Sequence, residues 1–235
     1  MIAEARQIRP VAVHFTLTAG RGKLRKTDWK LVEHFMKQTD TPYVNLHLEP
    51  HVNDFAGIDP DDPAQYNRVI EQMVADIRLV AKRFGPERVI VENVPYRGRG
   101  YKVLRPAVLP EVFTQVLEAT NCNLLLDISH ARIAAHYLGI DERVYMSGLP
   151  VHRLCEMHFT GLHNLDGQLQ DHLEILESDW PVLDWVLDKI RSGHWKKPWM
   201  MAFEYGGVGE KFDWRSDPQV IAEQVPELYR RAKSI

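Results

Sequence analysis

The sequence predicts an α/β protein whose parallel strands close as a TIM (β/α)8-type barrel, and three observations predict it. Short apolar runs alternate with amphipathic helical stretches along all 235 residues, the order that implies a parallel sheet. The runs are uninterrupted, as at Leu124-Leu125-Leu126, which suits strands buried on both faces. Each clear run also ends in a histidine or an acid, where a barrel places its chemistry. No shift in composition marks a second domain, so residues 1–235 are expected to form a single barrel domain.

The elements follow in order. Met1 to Arg9 reads as the end of a helix with an apolar stripe (Ile2, Ala3, Ala5, Ile8), stopped by Pro10. PVAVHFT is then a strand ending near His14. Thr27 is expected to cap a helix through Gln38, with Leu31, Val32, Phe35 and Met36 on one face and His34 structural or exposed. PYVNLHLEP forms the second strand, with His47 at its end and His51 just beyond. Gly57, Pro60 and Pro63 break any period, so Val52 to Pro63 is a loop. Tyr66, Val69, Ile70, Met73, Ile77, Val80 and Phe84 recur at helical steps until Gly85-Pro86 ends the pattern.

ERVIVENVP is the third strand and carries Glu92. After a basic loop from Tyr96 to Arg105, Pro110 opens a helix containing Val112, Phe113, Val116 and Leu117. NLLLDISH supplies the fourth strand, ending at Asp127. A helical stretch around Ile133 to Leu138 leads to HRLCEMHFTG, a fifth strand ending at His158. GQLQDHLEIL suggests a short irregular strand near His172. Ser178 to Ile190 is helical, PWMMAFEYGG is the last strand ending at Glu204, and Asp217-Pro218 starts a closing helix.

The net charge of −3 and pI near 6.4 argue against a dedicated nucleic-acid binder. Cys122 and Cys155 form no C-x-x-C pair, and no signal peptide precedes them, so free thiols in a reducing cytoplasm are expected. No apolar run approaches the roughly 20 residues that span a bilayer.

Six strands thus end in His14, His47, Glu92, Asp127, His158 and Glu204. Asp and Glu (32) with His (11) make up under a fifth of the chain, so this recurrence is not compositional. A barrel would bring such ends together. Imidazoles and carboxylates without thiolates suit Mn, Fe or Zn better than Cu(I) or an iron–sulfur cluster, and one to three ions would fit. Read alone, Asp127 is equally a helix cap with His130 on the helix surface. The other strand ends favour Asp127 and His130 as ligands. His172 is a further candidate, His51 competes with His47, and Asp171 is a weaker candidate.

These motifs resemble the xylose isomerase-like TIM-barrel superfamily in two ways. Glu92, Asp127-Ile-Ser-His130, His158, His172 and Glu204 match in order the metal ligands of endonuclease IV, except that Gln170 stands where its Asp-x-His has the acid. PVAVHFT, YVNLHL, VIVENVPY, LLLDIS, EMHFTG and MAFEYG are closer to the multinuclear non-haem iron-dependent oxidative enzymes, a family that includes the methanobactin-biosynthesis oxidase. That resemblance spans nearly the whole chain and implies iron ligands at His14, His47, Glu92, Asp127, His158, His172 and Glu204. The chain departs from it at His130 (usually Asn), Gln170 (usually Asp) and Gly206 (often Asp). It also has only Met1 to Arg9 ahead of PVAVHFT, where the family has an acidic strand and a helix. The barrel is therefore expected to lack its first strand, closed either by sequence upstream or by a second copy of the chain.

Arg97, Arg99, Lys102 and Arg105, like Arg21, Lys23, Arg25 and Lys26, lie in loops that follow strands carrying proposed ligands. They could attract a phosphate ester or acidic peptide, and equally could be solvated loop charge. Gly206-Gly207-Val208-Gly209 is not a dinucleotide fingerprint, because that motif opens the first helix of a βαβ unit. The resemblance implies two or three irons, O2 and oxidative modification of a peptide, with cysteine as the group changed. The alternatives are a Zn- or Mn-dependent sugar isomerase or epimerase, a phosphodiester hydrolase, and a degenerate barrel that binds metal or a partner without turnover.

Overall fold

The computed structural model describes residues 2–8, 10–59, 61–207, 209–233 and 235. Met1, Arg9, Pro60 and Val208, named above in sequence patterns, lie outside the described residues. The chain divides into two compact units, Met1–Val94 with Gly98–Leu124, and Pro95–Arg97 with Leu125–Ile235.

The first unit runs α1 (Ile2–Ile8), β1 (Thr18–Ala19), α2 (Trp29–Thr39), β2 (Val44–Leu48), α3 (Tyr66–Phe84), β3 (Val89–Glu92), α4 (Pro110–Thr120) and the start of β4 (Asn123–Asp127). Its strands lie in the order β1-β2-β3-β4. β1, β2 and β3 pair in parallel, with Thr18 beside His47 and His47 beside Glu92. The apolar runs give buried strands, on both faces in β3, where all four residues are buried. Val69, Met73, Ile77 and Val80 bury the stripe of α3 completely. Asp28 caps α2, not Thr27, by accepting hydrogen bonds from the backbone N–H groups of Lys30 and Leu31.

PVAVHFT differs from expectation, because the strand proper begins only at Thr18, four residues after His14. Side chains from the neighbouring segment hold this stretch in place of a full backbone ladder. Val13 N–H donates to Thr41 Oγ1 (2.9 Å) and Phe15 N–H to Asn45 Oδ1 (2.6 Å), while Asn45 Nδ2 donates to the Phe15 carbonyl (2.8 Å).

The second unit runs from the end of β4 through α5 (Ile128–Leu138), α6 (Glu142–Gly148), β5 (Leu154–Phe159), β6 (Gly161–Leu165), β7 (Gln168–Leu173), α7 (Trp180–Arg191), β8 (Met200–Phe203) and α8 (Pro218–Ala232). Its main strands lie in the order β4-β5-β8, and β8 runs parallel to β5. β6 and β7 form a separate antiparallel hairpin, with a β-bulge where Asp171 and His172 of β7 together face Leu162. Its two-residue turn, Asp166-Gly167, has both residues at positive φ, the conformation that Asp-Gly favours. Beyond the irregular strand expected near His172, the structure adds β6, its Asp-Gly turn and α6.

Two features anchor the hairpin. A Cβ at Gly161 would sit 1.6 Å from the Glu174 carbonyl oxygen, so only glycine allows this approach. Gly161→Ala is therefore expected to cost about 3 kcal/mol, at the upper end for overpacking because the obstacle is backbone. Urea denaturation of the two proteins measures it, and a loss under about 0.5 kcal/mol would contradict the packing described. The second anchor is Asp179, fully buried, which accepts hydrogen bonds from Arg132 Nη1 (2.6 Å) and from the backbone N–H groups of Leu176 (2.8 Å) and Leu162 (3.3 Å).

Candidate metal centre

In the first unit, the parallel register sets His47 beside Glu92, and the segment held by Asn45 brings His14 to them. His47 Nε2 lies 3.2 Å and His14 Nε2 3.4 Å from Glu92 Oε2, and the two nitrogens are 3.4 Å apart. Glu92 is fully buried. Hydrogen bonds define where the lone pairs lie. His47 Nδ1 faces the Leu17 carbonyl (3.3 Å), which can only accept, so the neutral ring carries its lone pair on Nε2. Asn45 Nδ2 reaches His14 Nε2 at 3.0 Å and can only donate, so that nitrogen carries its ring's lone pair, which a metal would take in place of the amide. Two nitrogen lone pairs and a carboxylate oxygen thus meet at separations near the ~3.4 Å between donors bound at about 2.1 Å to one tetrahedral ion. Without a cation or proton among them, these atoms would repel.

In the second unit, Asp127, His158 and Glu204 each offer an atom within 4.8 Å of the others. Asp127 ends β4, His158 is the penultimate residue of β5, and Glu204 follows β8. His158 Nδ1 lies 3.4 Å from Glu204 Oε2. Its Nε2–H donates to Glu156 Oε1 (2.9 Å), two residues earlier on the same strand face. A carboxylate behind an imidazole fixes the tautomer and raises the basicity of the other nitrogen, as in carboxylate–histidine–metal arrangements. Glu156→Gln is expected to weaken metal binding by about 10–100-fold with little change in melting temperature. Titration against a competing chelator reads this, and an unchanged Kd would remove Glu156 from the site.

Asp127 also caps α5, because its Oδ1 accepts from the His130 N–H at 2.6 Å. The cap reading is therefore right for Asp127, but it is wrong in placing His130 on the helix surface, since His130 is only 6% exposed. One carboxylate oxygen caps the helix. The other lies 3.7 Å from His130 Nδ1.

A third group in the second unit joins His130, Asp171 and His172, again within 4.8 Å of one another. Burial acts to raise the Asp171 pKa, but the hydrogen bond and charge of His130, with the charge of His172, carry it well below the usual carboxylate range. All three groups present imidazole nitrogens and carboxylate oxygens without thiolate. That donor set fits Fe, Mn or Zn, and Cys122 and Cys155 are buried and join no such group among the described residues.

The remaining candidates stand apart from these groups. His51 pairs with Glu49 (3.1 Å) and belongs to none of them among the described residues. Arg99 and Arg105 both pair with Asp61 (3.3 and 3.4 Å), Lys102 pairs with Glu49 (2.7 Å), and Arg97 donates to the Leu169 carbonyl. Arg21 and Lys23 share Asp54 at 2.7 Å each. At Gly206, where the resembled family often has Asp, φ is +76° and a Cβ would lie 2.7 Å from Ser216 Oγ and 2.9 Å from the Arg215 carbonyl. Asn45 and Glu156 are the supporting residues that sequence reasoning missed. Their signal is the repeated spacing Asn45-x-His47 and Glu156-x-His158, which puts each polar partner on the face of its histidine.

Known proteins resemble the chain at three levels. Among solved structures, a xylose isomerase domain-containing protein from Salmonella typhimurium LT2 is 14% identical, with a TM-score of 0.57 over 98% of this chain and 79% of that one. The IolI protein with a bound zinc atom gives the same identity and score over 99% and 77%. An AP endonuclease of family 2 from Brucella melitensis is 15% identical, with a TM-score of 0.55 over 96% and 81%. These likenesses show the xylose isomerase-like TIM-barrel fold. Six strands, β1 to β5 and β8, make up its sheet among the described residues, against eight in a complete barrel.

Curated relatives include a UPF0276 protein of Acaryochloris marina, 26% identical over 156 residues, which are 66% of this chain and 51% of that protein. Another, from Pseudomonas aeruginosa, is 27% identical over 185 residues, 75% of this chain and 60% of that protein. The chain spans about half the length of the curated relatives it matches. A family model matches residues 1–194. By that match the chain belongs to the family described as RiPP precursor modification enzyme MbnB/TglH/ChrH.

Proposed function

We propose that this chain is a metalloenzyme that holds two or three iron ions and uses O2 to modify a peptide oxidatively, acting at a cysteine side chain. The observation that carries the metal reading is the meeting of His14 Nε2, His47 Nε2 and Glu92 Oε2 around a buried carboxylate. Family membership supports a peptide as substrate class. The proposed ligands are His14, His47, Glu92, Asp127, His130, His158, His172 and Glu204.

When bound, iron supplies the one-electron chemistry that side chains lack. The chain's own residues do the rest. The Leu17 carbonyl holds the proton of His47 at Nδ1, and Glu156 holds that of His158 at Nε2, so each ring keeps its other nitrogen for the metal. The burial of Glu92 and His158 keeps bulk water from competing for those positions. Arg97, Arg99, Lys102 and Arg105 are proposed to meet acidic groups of the peptide. Arg99 is the freest of them to exchange its partner, because its side chain is 79% exposed.

Elemental analysis of anaerobically purified protein tests the reading. Two or three irons per chain, with O2 uptake that depends on a cysteine-containing peptide, are expected. No stoichiometric metal even after reconstitution would end it. His130 favours a second reading, because an imidazole at that position adds a nitrogen ligand suited to zinc. Three zinc ions with cleavage of abasic DNA, or manganese with ketose turnover, would replace the oxidase by a hydrolase or an isomerase.

A further inference from the structure

α3 carries an outward stripe that the core does not use. Arg68, Gln72, Ala75, Leu79 and Lys82 follow at steps of four, three, four and three, so they fall in one line along the helix. That line borders two grooves, of about 360 and 560 Å3, which share Gln72 and Ala75 and so run into one another. At about 1.5 Å per residue, the stripe from Arg68 to Lys82 is ~21 Å long. An extended chain advances ~3.4 Å per residue, so about six residues would lie along it.

The two ends of the groove differ in charge. At the Arg68 end, Arg21 pairs with Asp54 (2.7 Å) and Glu71 adds a second acid, so opposite charges balance. The other end is lined by Arg25, Arg78 and Lys82, all exposed, and Asp76 is the one acid among its lining residues. Asp76 points inward and is only 5% exposed. Its Oδ2 accepts from the backbone N–H groups of Gly20 (2.8 Å), Arg21 (3.0 Å) and Gly22 (2.8 Å), and its Oδ1 from Gln72 Nε2 (3.0 Å). Three successive N–H groups around one oxygen make a nest of the kind that binds anions. Here the chain's own carboxylate fills the nest and fixes the loop that carries Arg25 against α3. Arg78 donates to the Ala119 carbonyl (3.0 Å), and none of the three cations makes an ion pair among the described residues. They surround a groove that supplies no anion for them.

The connection from β2 to α3 leaves the sheet just beyond His47. The Arg68 end of the groove therefore lies at the end of the sheet where His47 and Glu92 stand, and the cationic end points away from it. We infer that this groove binds an acidic segment of the peptide substrate in extended form, with Arg25, Arg78 and Lys82 meeting its carboxylates. A peptide can carry its acids at one end only, whereas nucleic acid has a phosphate at every step and would set one against Glu71. The inference rests on the peptide part of the reading above and needs neither iron nor O2, so the two can fail separately.

The probes are fluorescein-labelled hexapeptides with three glutamates in the N- or the C-terminal half and glycine and serine elsewhere, followed by anisotropy at low salt. Wild type is expected to bind at least one of them, and Arg25→Gln/Lys82→Gln to bind it about tenfold more weakly, with the difference shrinking as salt rises. Neither residue belongs to the core, so folding should be kept, which circular dichroism checks. Lys189→Gln/Lys196→Gln removes the same charge from residues that line neither groove and should stay within about twofold of wild type. No binding by wild type, equal binding by the groove variant, or an equal loss in both variants would overturn the inference. A six-nucleotide oligothymidylate that binds wild type more tightly than either peptide, and the groove variant less, would also overturn it by replacing the peptide. Peptide binding that depends on Arg25 and Lys82, beside no O2 uptake with a cysteine-containing peptide, would end the oxidase reading and leave the groove standing.

Discussion

Glu92→Gln is expected to strip the metal held with His14 and His47 and to lower peptide-dependent O2 uptake by at least about 100-fold, the upper range for outer supporting residues and so a floor for a ligand. Glutamine keeps the shape of the side chain, so a loss would report chemistry rather than packing. It removes the negative charge that Glu92 brings beside His14 and His47, so a dication held there loses its direct counter-charge among those three side chains. Stability should move the other way in the absence of metal. Metal-free wild type buries the Glu92 carboxylate completely, and burying a carboxylate carries a desolvation cost that a neutral amide does not. Metal-free Glu92→Gln should therefore melt no lower than metal-free wild type, while metal should raise the melting temperature of wild type more. Elemental analysis and thermal melts with and without chelator check both halves. Full metal occupancy in the variant would displace Glu92 from the ligand set.

Asp179→Ala should give the largest loss of stability, about 3–5 kcal/mol, because it leaves a largely buried arginine without its main anion. Arg132 would keep only Glu142, at 2.8 Å, while two backbone N–H groups lose their acceptor. For a chain of this size the loss corresponds to a fall in melting temperature on the order of 10 °C. Asp179→Asn can still accept hydrogen bonds and should lose about half as much. Burial acts to lower the Arg132 pKa, but Asp179 and Glu142 outweigh it and hold the guanidinium above its ordinary value. Arg132 therefore cannot escape the penalty by losing its proton. Calorimetry or urea titration would show the effect, and a cost below about 1 kcal/mol would mean that water reaches Arg132.

Long periodic patterns were legible in the sequence. α3 spans Tyr66–Phe84 as its apolar spacing predicts, and β3 and β4 end at Glu92 and Asp127 as expected. His14 lies four residues ahead of β1, not at the end of a strand. Its apolar stretch looks like a strand, but Thr41 and Asn45 supply hydrogen bonds that a ladder would otherwise make. Periodicity cannot see such side-chain substitutes. Asp127 posed a false choice between cap and ligand, because a carboxylate has two oxygens and can serve both. α6 was missed because seven residues show too little of a helical period. The closeness of Asp171 to His172 is not legible in the sequence, since strand alternation sends neighbours to opposite faces unless an extra residue is accommodated.

The bulge gives β7 a parity. A strand has two faces, and each residue added or removed exchanges them for everything beyond that point. In β7 the two faces merge for one step, so the adjacent Asp171 and His172 reach one group, which an ordinary strand allows only at alternate positions. Recognition by spacing assumes an even step between such partners. An odd step joined to a bulge is its geometric equivalent, and a search for Asp-x-His alone passes over it.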